Sequence, residues 1–410
     1  MEENKEGTRE DKGDDLESKP IYKGLVGVVV DTTEICSIDG IKGSLYYRGY
    51  PIRELVEYSS FEEVAFLLLF GKLPSRFELE AFKDKLIQQR DIPDRILIIL
   101  KSFPRNTTRI ELLRTAISAL SLYDEDDYDY SEQANIRKGM RIIGKIPTIL
   151  AYSHRIQSNL PLVEPDTEGK LSHAANFYYM MTGNIPTKLV EDAFDKLLIC
   201  HAEHALNTST FAARVTVSTL SDIYSAIVSA IGTLRGPLHG GANERVILYM
   251  LNEIKTKKNV IPWAKEKIKN KEKIMGFGHR VYKTWDPRAY ILREYAKKFS
   301  EMRRKQKDPD GIPTEFPGEE DVDSIFQMTE KLVDYVVKKK GIYPNVDLFS
   351  APLLHGLGVP TPLYTPLFAS SRCVGWVAHS IEQLKNNKLI RPRLRFQGEL
   401  NKKYVPLDER

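Results

Sequence analysis

A helical spacing of apolar residues, sustained from about residue 60 to residue 386, constrains the fold of this chain more than any other feature. Segments such as 109–122, 135–158 and 322–340 carry apolar residues three and four positions apart, which is typical of amphipathic α-helices. No strand pattern alternates with these helices, as it would in a chain that builds a parallel sheet. The sequence therefore predicts an all-α fold in which helices pack on one another.

A minor β element is expected near the N-terminus. Residues 24–30 and 44–50 are rich in β-branched and aromatic side chains, and Asp39-Gly40 between them is a turn signal. Three further segments are expected to lack regular structure. They are the charged, Gly- and Pro-containing loop 302–321, the loop 344–350 and a basic, extended tail from residue 391.

The composition is that of a soluble globular protein. The chain has 410 residues, 42% hydrophobic and 28% charged, and no apolar run approaches the ~20 residues that cross a membrane. A net charge of +4 argues neither for nor against nucleic acid. Residues 1–20 are mostly acidic and polar, which predicts a disordered tail and not a transit or signal peptide. Three widely spaced cysteines disfavour disulfides and zinc, so a reducing, cytoplasmic location is expected.

Ionisable residues collect in four stretches where glycine or proline interrupts a helix: 201–211, 234–242, 275–288 and 341–350. In the third stretch, Gly276 and Gly278 allow a tight turn that presents His279 to a ligand. Arg288 follows nine positions later and could be aimed at the same space. A glycine turn with a solvated basic rim is the simpler alternative for this stretch taken alone.

Three histidines stand out in the first two stretches. His239 precedes two glycines at the start of a helix, where the helix dipole favours a neutral imidazole that can donate to an oxyanion. A helix-capping histidine is the alternative. His201 and His204 lie one turn apart on either side of Glu203, but the spacing is not HExxH and no third ligand is near in sequence. No metal site is therefore predicted.

An aspartate and three arginines complete the candidates. Apolar neighbours of Asp347 in the loop 344–350 would partly bury it and raise its pKa, which would make it a usable base. A loop aspartate that caps the next segment is the alternative. Arg288, Arg372 and Arg391 stand among apolar or proline neighbours, a setting that suits contacts to carboxylates or phosphates. Each alone is more often a surface salt bridge, but together they indicate a substrate with more than one carboxylate.

These stretches resemble the citrate synthase family over roughly residues 21–410, in their order and spacing as well as their residues. The motifs that carry the resemblance are Arg48-Gly49-Tyr50, Gly71-Lys72-Leu73-Pro74, His204 to Phe211, Gly236-Pro237-Leu238-His239-Gly240-Gly241-Ala242, Met275 to Arg288, Pro344-Asn345-Val346-Asp347, and Ser371-Arg372-Cys373-Val374-Gly375-Trp376-Val377-Ala378-His379. The resemblance implies a two-domain citrate synthase-like fold. Its large helical domain would take residues 21–240 and 353–410, and its small helical domain residues 241–352.

The resemblance also implies a reaction and residue roles. The family condenses an acyl-CoA with oxaloacetate and hydrolyses the intermediate, with acetyl-CoA as cosubstrate and no permanently bound cofactor. Asp347 matches the base that removes a proton from the acetyl methyl group. His239 matches the histidine that stabilises the enol or enolate, and His279 matches the acid that protonates the oxaloacetate carbonyl. The positions that match the oxaloacetate-binding set are His204, Arg288, Arg372 and Arg391, the last of which would reach in from the second subunit of a homodimer.

The CoA contacts follow less directly from the residues. Gly276-Phe277-Gly278 matches a loop whose backbone meets the adenine. Lys273 and Lys283 could neutralise phosphates, and solvated lysines without a ligand are an equal alternative.

Alternatives remain open for the substrate and for the class of protein. Ala205, Thr208 and Ala351 depart from the family's usual residues near the pocket, so 2-methylcitrate synthesis from propionyl-CoA competes with citrate synthesis. A non-catalytic CoA-binding relative is disfavoured because all three catalytic matches are present. A nucleic-acid binder that uses the basic residues 391–395 is disfavoured by the nearly balanced net charge.

Overall fold

The computed structural model describes residues 19–126, 129–305 and 322–410. These residues divide into two compact units, one formed by 33–388 and the other by the terminal segments 19–32 and 389–410. Most of the tail and most of the loop 302–321 that the sequence predicts lie outside the described residues.

The unit 33–388 is helical, as the sequence predicts. Its first half contains α1 Ile52–Tyr58, α2 Phe61–Phe70, α3 Arg76–Ile87, α4 Asp94–Ser102, α5 Arg109–Leu120, α6 Glu132–Gln157, α7 His173–Thr182 and α8 Lys188–His201. Its second half contains α9 Thr208–Ser218, α10 Ile223–Leu234, α11 Ala242–Tyr249, α12 Val260–Lys269, α13 Pro287–Lys305, α14 Val322–Lys340, α15 Val346–Gly356 and α16 Tyr364–Lys385. The turn Met250–Ile254 extends α11 with π-type hydrogen bonds.

Local sequence signals account for where several helices start and stop. At the start of α3, the Ser75 side chain accepts from the Glu78 N–H while the Glu78 carboxylate accepts from the Ser75 N–H, a reciprocal capping box. At the start of α2, Ser60 accepts from the Glu63 N–H. That helix ends at Gly71, whose φ of 79° is left-handed. Glycine adopts this conformation at little cost in free energy because it has no side chain.

The β element is a three-stranded antiparallel sheet of β1 Cys36–Asp39, β2 Ser44–Tyr47 and β3 Tyr50–Pro51. The strand predicted within 44–50 is therefore confirmed, but the strand predicted over 24–30 is wrong. That segment holds a 3-10 turn, Lys23–Leu25, and the left-handed φ angles of Gly24 and Gly27, 69° and 77°, are incompatible with an extended strand.

The last long helix, α16, forms the centre of the core. It packs against α6, α9 and α10, and nearly all of its residues are buried, Trp376 completely. Gly375 lets α16 approach the chain that follows α8, since its N–H donates to the Ala202 carbonyl at 3.2 Å. A methyl group at Gly375 would lie 2.6 Å from that oxygen. The close packing of α16 on this segment thus depends on the missing side chain.

The helices from α11 to α15 pack mainly on one another, with α13 against both α14 and α15. The predicted domain boundary at 352/353 falls inside α15, and the division into a large and a small domain stays a prediction. The loop predicted over 344–350 is wrong beyond its first residues, because α15 begins at Val346. In the same way, α13 continues to Lys305 and includes the first residues of the predicted loop 302–321. Within the described ranges, no helix has the length and apolar character needed to cross a membrane.

We expect Gly375→Ala to lower the free energy of unfolding by about 1–3 kcal/mol, because the added methyl group overpacks the contact with Ala202. Gly232→Ala in α10 is the matched control, since its new methyl group would lie 3.8 Å from the Arg114 side chain, an ordinary contact. That control should gain about 0.5–1 kcal/mol from helix propensity. Urea unfolding measures both, and equal stabilities for the two variants would contradict the close-approach argument.

Candidate active site

The glycine stretch and the start of α15 are bound to each other. The Gly278 N–H donates to the Tyr343 carbonyl at 2.8 Å, and the Asn345 N–H donates to the Gly276 carbonyl at 2.9 Å. The Asn345 side chain also donates to the Gly278 carbonyl at 2.9 Å. Both glycines have left-handed φ angles, and a methyl group on Gly276 would lie 2.8 Å from the Leu348 side chain. The third and fourth stretches singled out in the sequence therefore form one structural unit.

His204, His279 and Tyr282 form a cluster of three rings. The two imidazole centroids are 5.0 Å apart, and His204 Nε2 lies 3.3 Å from the Tyr282 hydroxyl. Burial lowers the pKa of His279 to about 4 and that of His204 well below its usual value, and nearby Arg288 adds to both effects. Both rings are therefore neutral at pH 7.

The hydrogen bonds of His279 decide which ring nitrogen carries the proton. Its Nδ1 accepts from the backbone N–H groups of Val281 and Tyr282, at 3.0 and 3.2 Å. Because a backbone N–H can only donate, the proton of the neutral ring must lie on Nε2. His279 thus offers a hydrogen-bond donor away from its own turn.

His239 lies in the turn between α10 and α11, and Ser209 at the start of α9 holds its ring. Nε2 is 2.8 Å from the Ser209 hydroxyl and 3.3 Å from the Ser209 N–H, so Nε2 acts as the acceptor. Trp376 of α16 donates to the same hydroxyl at 3.1 Å. Burial lowers the pKa of His239 to about 4, with the charge of Arg372 contributing. The neutral ring consequently carries its proton on Nδ1.

Two guanidinium groups are buried in this region. Arg288 is bound by both oxygens of Asp286, at 3.0 and 2.7 Å. Arg372 donates to the His201 carbonyl at 2.6 Å and lies over the Phe368 ring at 4.7 Å. Among the described residues, Arg372 has no carboxylate within 4.0 Å, and burial lowers its pKa to about 10. Of these two arginines only Arg288 is therefore paired with a carboxylate, and the buried carboxylate of Glu203 acts on Arg372 from farther away.

Asp347 lies in the first turn of α15 and not in a loop, so the predicted setting was wrong although the predicted burial is confirmed. Asn345 caps this helix through the Asp347 N–H at 3.1 Å. Oδ1 of Asp347 is buried and has no hydrogen-bond partner among the described residues. Burial raises the pKa of Asp347 to about 7, although the charge of Arg288 works in the opposite direction.

The histidine pair considered for metal binding is not arranged as a pair. His201 points its Nδ1 at the Leu197 carbonyl, 2.9 Å away, and packs against Phe368. His204, His279 and Asp286 do bring three potential ligand atoms within 4.8 Å of one another. Asp286 already binds Arg288 with both oxygens, and a second cation beside that guanidinium would be repelled, so this geometry disfavours a resident metal ion.

Lys273 and Lys283 are exposed, and Phe277 is half-buried beside Pro344. Arg391 is exposed in the terminal unit.

Several residues in contact with the site residues were missed by the sequence reasoning. Ser209 lies inside the motif His204 to Phe211, so a role for it beside His239 could have been predicted from the sequence. Tyr282 and Asp286 lie between two residues that were named, yet neither was considered. The buried pair of Glu203 and His379, with Oε1 and Nε2 3.0 Å apart, joins residues far apart in sequence and gave no local signal.

Comparisons with known proteins show which family the chain is similar to. A family model described as "Citrate synthase, C-terminal domain" matches residues 24–393. "Citrate synthase 2" of Bacillus subtilis is 43% identical over 95% of this chain and 99% of its own length. "Citrate/2-methylcitrate synthase" of the same organism is 40% identical over 93% of this chain and 98% of its own length.

A solved structure extends the likeness to three dimensions. The citrate synthase of Thermoplasma acidophilum, in a ternary complex with carboxymethyl coenzyme A and oxaloacetate, matches with a TM-score of 0.87. The two chains are 35% identical, and the match covers 96% of this chain and 100% of the other. Fold and sequence together define an enzyme of the acyltransferase class. The chain belongs to the citrate synthase family.

The raised pKa of Asp347 predicts a pH-dependent cost in stability. An unfolded aspartate ionises near pH ~3.9, whereas the folded one ionises near pH 7, so the cost of the buried charge is absent at low pH and grows up to about pH 7. We expect Asp347→Asn to be stabilising, with an advantage that grows by about 2 kcal/mol from pH 5 to pH 8. Urea unfolding at both pH values measures it. The matched control is Asp334→Asn, whose carboxylate is exposed on α14, and an equal pH response in both variants would rule out this cost.

Proposed function

We propose that this protein condenses acetyl-CoA with oxaloacetate and hydrolyses the resulting thioester, giving citrate and CoA. The observation that carries the proposal is a pair of neighbouring buried guanidinium groups, Arg288 and Arg372, of which only Arg288 has a carboxylate within 4.0 Å among the described residues. A substrate with two carboxylates supplies the missing negative charge. Planar guanidinium groups suit this task, because each can bind a carboxylate through two parallel hydrogen bonds.

Oxaloacetate binds to Arg288, Arg372 and His204 in this proposal, and His279 faces its carbonyl oxygen. The Nε2–H of His279 donates to that oxygen and passes its proton to it as the new carbon–carbon bond forms. Because the pKa of His279 is lowered, the ring is neutral at pH 7, and it acts in this position as an uncharged hydrogen-bond donor. The support for this role is the tautomer that the two backbone donors impose on Nδ1.

Asp347 removes the proton from the methyl group of acetyl-CoA. That carbon acid is weak, so the reaction needs a base held close to the methyl group and a donor held at the thioester oxygen. Asp347 has an unpartnered buried oxygen, and a pKa near 7 leaves about half of it ionised at neutral pH. His239 supplies the donor through Nδ1–H and stabilises the enolate or enol without carrying a charge itself.

Water must be kept out until the carbon–carbon bond has formed, since the thioester could otherwise be hydrolysed first. Closure of the predicted small domain, residues 241–352, over the large one would exclude it, with oxaloacetate as the trigger. The glycine stretch and the start of α15 would move as one body, because they are hydrogen-bonded to each other. In this proposal the backbone at Gly276, Phe277 and Gly278 meets the adenine of CoA, and Lys273 and Lys283 face its phosphates.

A homodimer completes the site by contributing Arg391 from the partner subunit. The support is the exposed apolar surface of the segment 389–410, in which Leu394, Leu400 and Tyr404 are at least 71% exposed. The three cysteines are buried and unpaired, which fits a reducing cytoplasmic location.

Synthesis of 2-methylcitrate from propionyl-CoA is the second candidate. A relative named "Citrate/2-methylcitrate synthase" supports this candidate. The two substrates differ by one methylene, which an apolar pocket distinguishes by only ~1–3 kcal/mol. The same residues would act in the same roles.

CoA-thiol release tests the proposal with purified protein, oxaloacetate and either acyl-CoA. We expect oxaloacetate-dependent release with a higher kcat/KM for acetyl-CoA than for propionyl-CoA, and a preference for propionyl-CoA would favour the second candidate. Asp347→Asn and His279→Ala should each lower kcat by about 10²–10⁴-fold, because each removes a proton-transfer group. Asp334→Asn should retain full activity. No release with either thioester would leave only a non-catalytic CoA-binding role.

A subunit-mixing experiment tests the position of Arg391. Arg391→Ala and Asp347→Ala should each be inactive alone, because every site of either homodimer lacks one group. A mixed dimer has one intact site, since the Asp347 of one subunit meets the Arg391 of the other. Random mixing after reversible dissociation should therefore restore about a quarter of the wild-type activity. If activity stays absent although mixed dimers form, Arg391 acts within its own subunit, whereas full activity of Arg391→Ala alone would show that Arg391 is not needed.

A further inference from the structure

The tip of the small β-sheet is docked against the segment between His279 and Arg288. The Lys283 N–H donates to the Gly40 carbonyl at 2.8 Å. A methyl group on Gly40 would overlap the Val281 carbonyl, and its distance to the Val281 carbonyl carbon would be 2.9 Å. The turn that joins β1 and β2 thus reaches a distance that only a glycine permits.

Gly43 makes a second close approach on the other side of the same turn. A methyl group there would lie 2.8 Å from the Thr284 side chain and 2.9 Å from the Trp285 carbonyl. Asp39 holds the turn in shape, because its Oδ1 accepts from the N–H groups of Ile41 and Lys42 at 3.0 and 2.9 Å. The turn therefore contacts three consecutive residues of the loop. Gly40 accepts the hydrogen bond from Lys283, and Gly43 lies close to Thr284 and Trp285.

The opposite end of the same hairpin is anchored next to His204. The Tyr47 hydroxyl is buried and donates to the Glu203 carbonyl at 2.9 Å, with the Ile199 carbonyl 3.2 Å away. The Glu203 N–H in turn approaches the same hydroxyl at 3.3 Å. Tyr47 thereby binds the end of α8 and the residue directly before His204.

The sheet register fixes the spacing between these two anchors. Cys36 pairs with Tyr47, and Asp39 pairs with Ser44, so β1 and β2 run without a break from one anchor to the other. A four-residue antiparallel pair spans about 10 Å between its ends and resists bending through its ladder of hydrogen bonds. The hairpin is therefore a rigid spacer between the His204 segment and the loop that carries His279 and Arg288.

We propose that the hairpin Cys36–Tyr47 is a positioning element for oxaloacetate, with Gly40 and Tyr47 as its two contact residues. It sets the loop of His279 and Arg288 at the correct distance from His204. This inference rests on the proposed function, since it concerns the dicarboxylate site. A misplacement of about 1 Å lowers the reaction rate by up to ~10²-fold. An element that fixes the distance between His204 and the loop should therefore have a measurable effect on the rate and on oxaloacetate binding.

The contact also crosses the predicted domain boundary. Gly40 lies in the predicted large domain, and Lys283 lies in the predicted small domain. Docking of the turn on the loop is consequently part of the closed arrangement, and oxaloacetate binding and docking support each other. Asp347 and His239 make no hydrogen bond to the hairpin among the described residues, and Lys283 is bound to it through its backbone N–H, so we expect the acyl-CoA half of the site to be affected less than the oxaloacetate half.

Gly40→Ala and Tyr47→Phe test the proposal one end at a time. Gly40→Ala separates the turn from the loop, and Tyr47→Phe removes the hydroxyl while keeping the ring in the core. Gly232→Ala is the matched control for adding a methyl group to the chain. Each test variant should raise the oxaloacetate KM and the calorimetric Kd for oxaloacetate about tenfold. The KM for acetyl-CoA should change less than about twofold, and the control should change neither.

The double variant separates positioning from a purely structural role. If the hairpin acts as one spacer, the double variant should lose less oxaloacetate affinity than the product of the two single losses, because either change alone already frees the loop. A purely structural hairpin would lower the melting temperature and leave the oxaloacetate KM unchanged, which would overturn the proposal. Should Gly40→Ala fail to fold, Tyr47→Phe alone decides between these outcomes through its KM. Wild-type protein that releases no CoA would instead overturn the proposed function, so the two failures are distinguishable.

Discussion

The burial of Arg288 and Arg372 in a helical core is the constraint on which the rest of the site depends. A buried cation loses its hydration, a cost of several kcal/mol that nearby groups must offset. Asp286 offsets it for Arg288 with two hydrogen bonds, whereas Arg372 has a backbone carbonyl and the face of Phe368. The charge of Arg288 then acts on the nearby imidazole rings. It favours the neutral forms of His204 and His279. Burial of these two rings already disfavours their protonated forms.

Burial shifts the pKa of Asp347 and the pKa values of the histidines in opposite directions. The same loss of hydration that lowers the pKa of the histidines raises the pKa of Asp347, because it always disfavours the charged form. Near neutral pH the pocket thus holds a carboxylate able to accept a proton and imidazoles able to donate one. Ser209 and the backbone of Val281 decide which nitrogen of His239 and His279 does the donating. The protein therefore sets both the protonation state and the tautomer of these two histidines.

Much of this could be predicted from the sequence, and the failures have physical reasons. Helices were predicted because apolar spacing and caps such as Ser75 are local. The strand predicted over 24–30 failed because its β-branched residues stand beside glycines with left-handed φ, and composition does not report φ. The loop predicted over 344–350 is wrong after its first residues because the side chain of Asn345 caps α15, and the sequence analysis did not consider this cap. Contacts such as Gly40 with Lys283 join segments 243 residues apart, and no local pattern encodes them.

The site is assembled from helix ends, and this explains why four short stretches carry nearly all of its chemistry. Helix termini and the turns between them have backbone groups without helical partners, which are free to bind other turns. The glycine stretch uses these groups to hold the start of α15, and the sheet tip uses one to hold the loop before α13. Such contacts cost little to break, unlike the packing of α16 in the core. Arg372 lies within α16, so its position depends on the packing of the core and not on contacts of this kind.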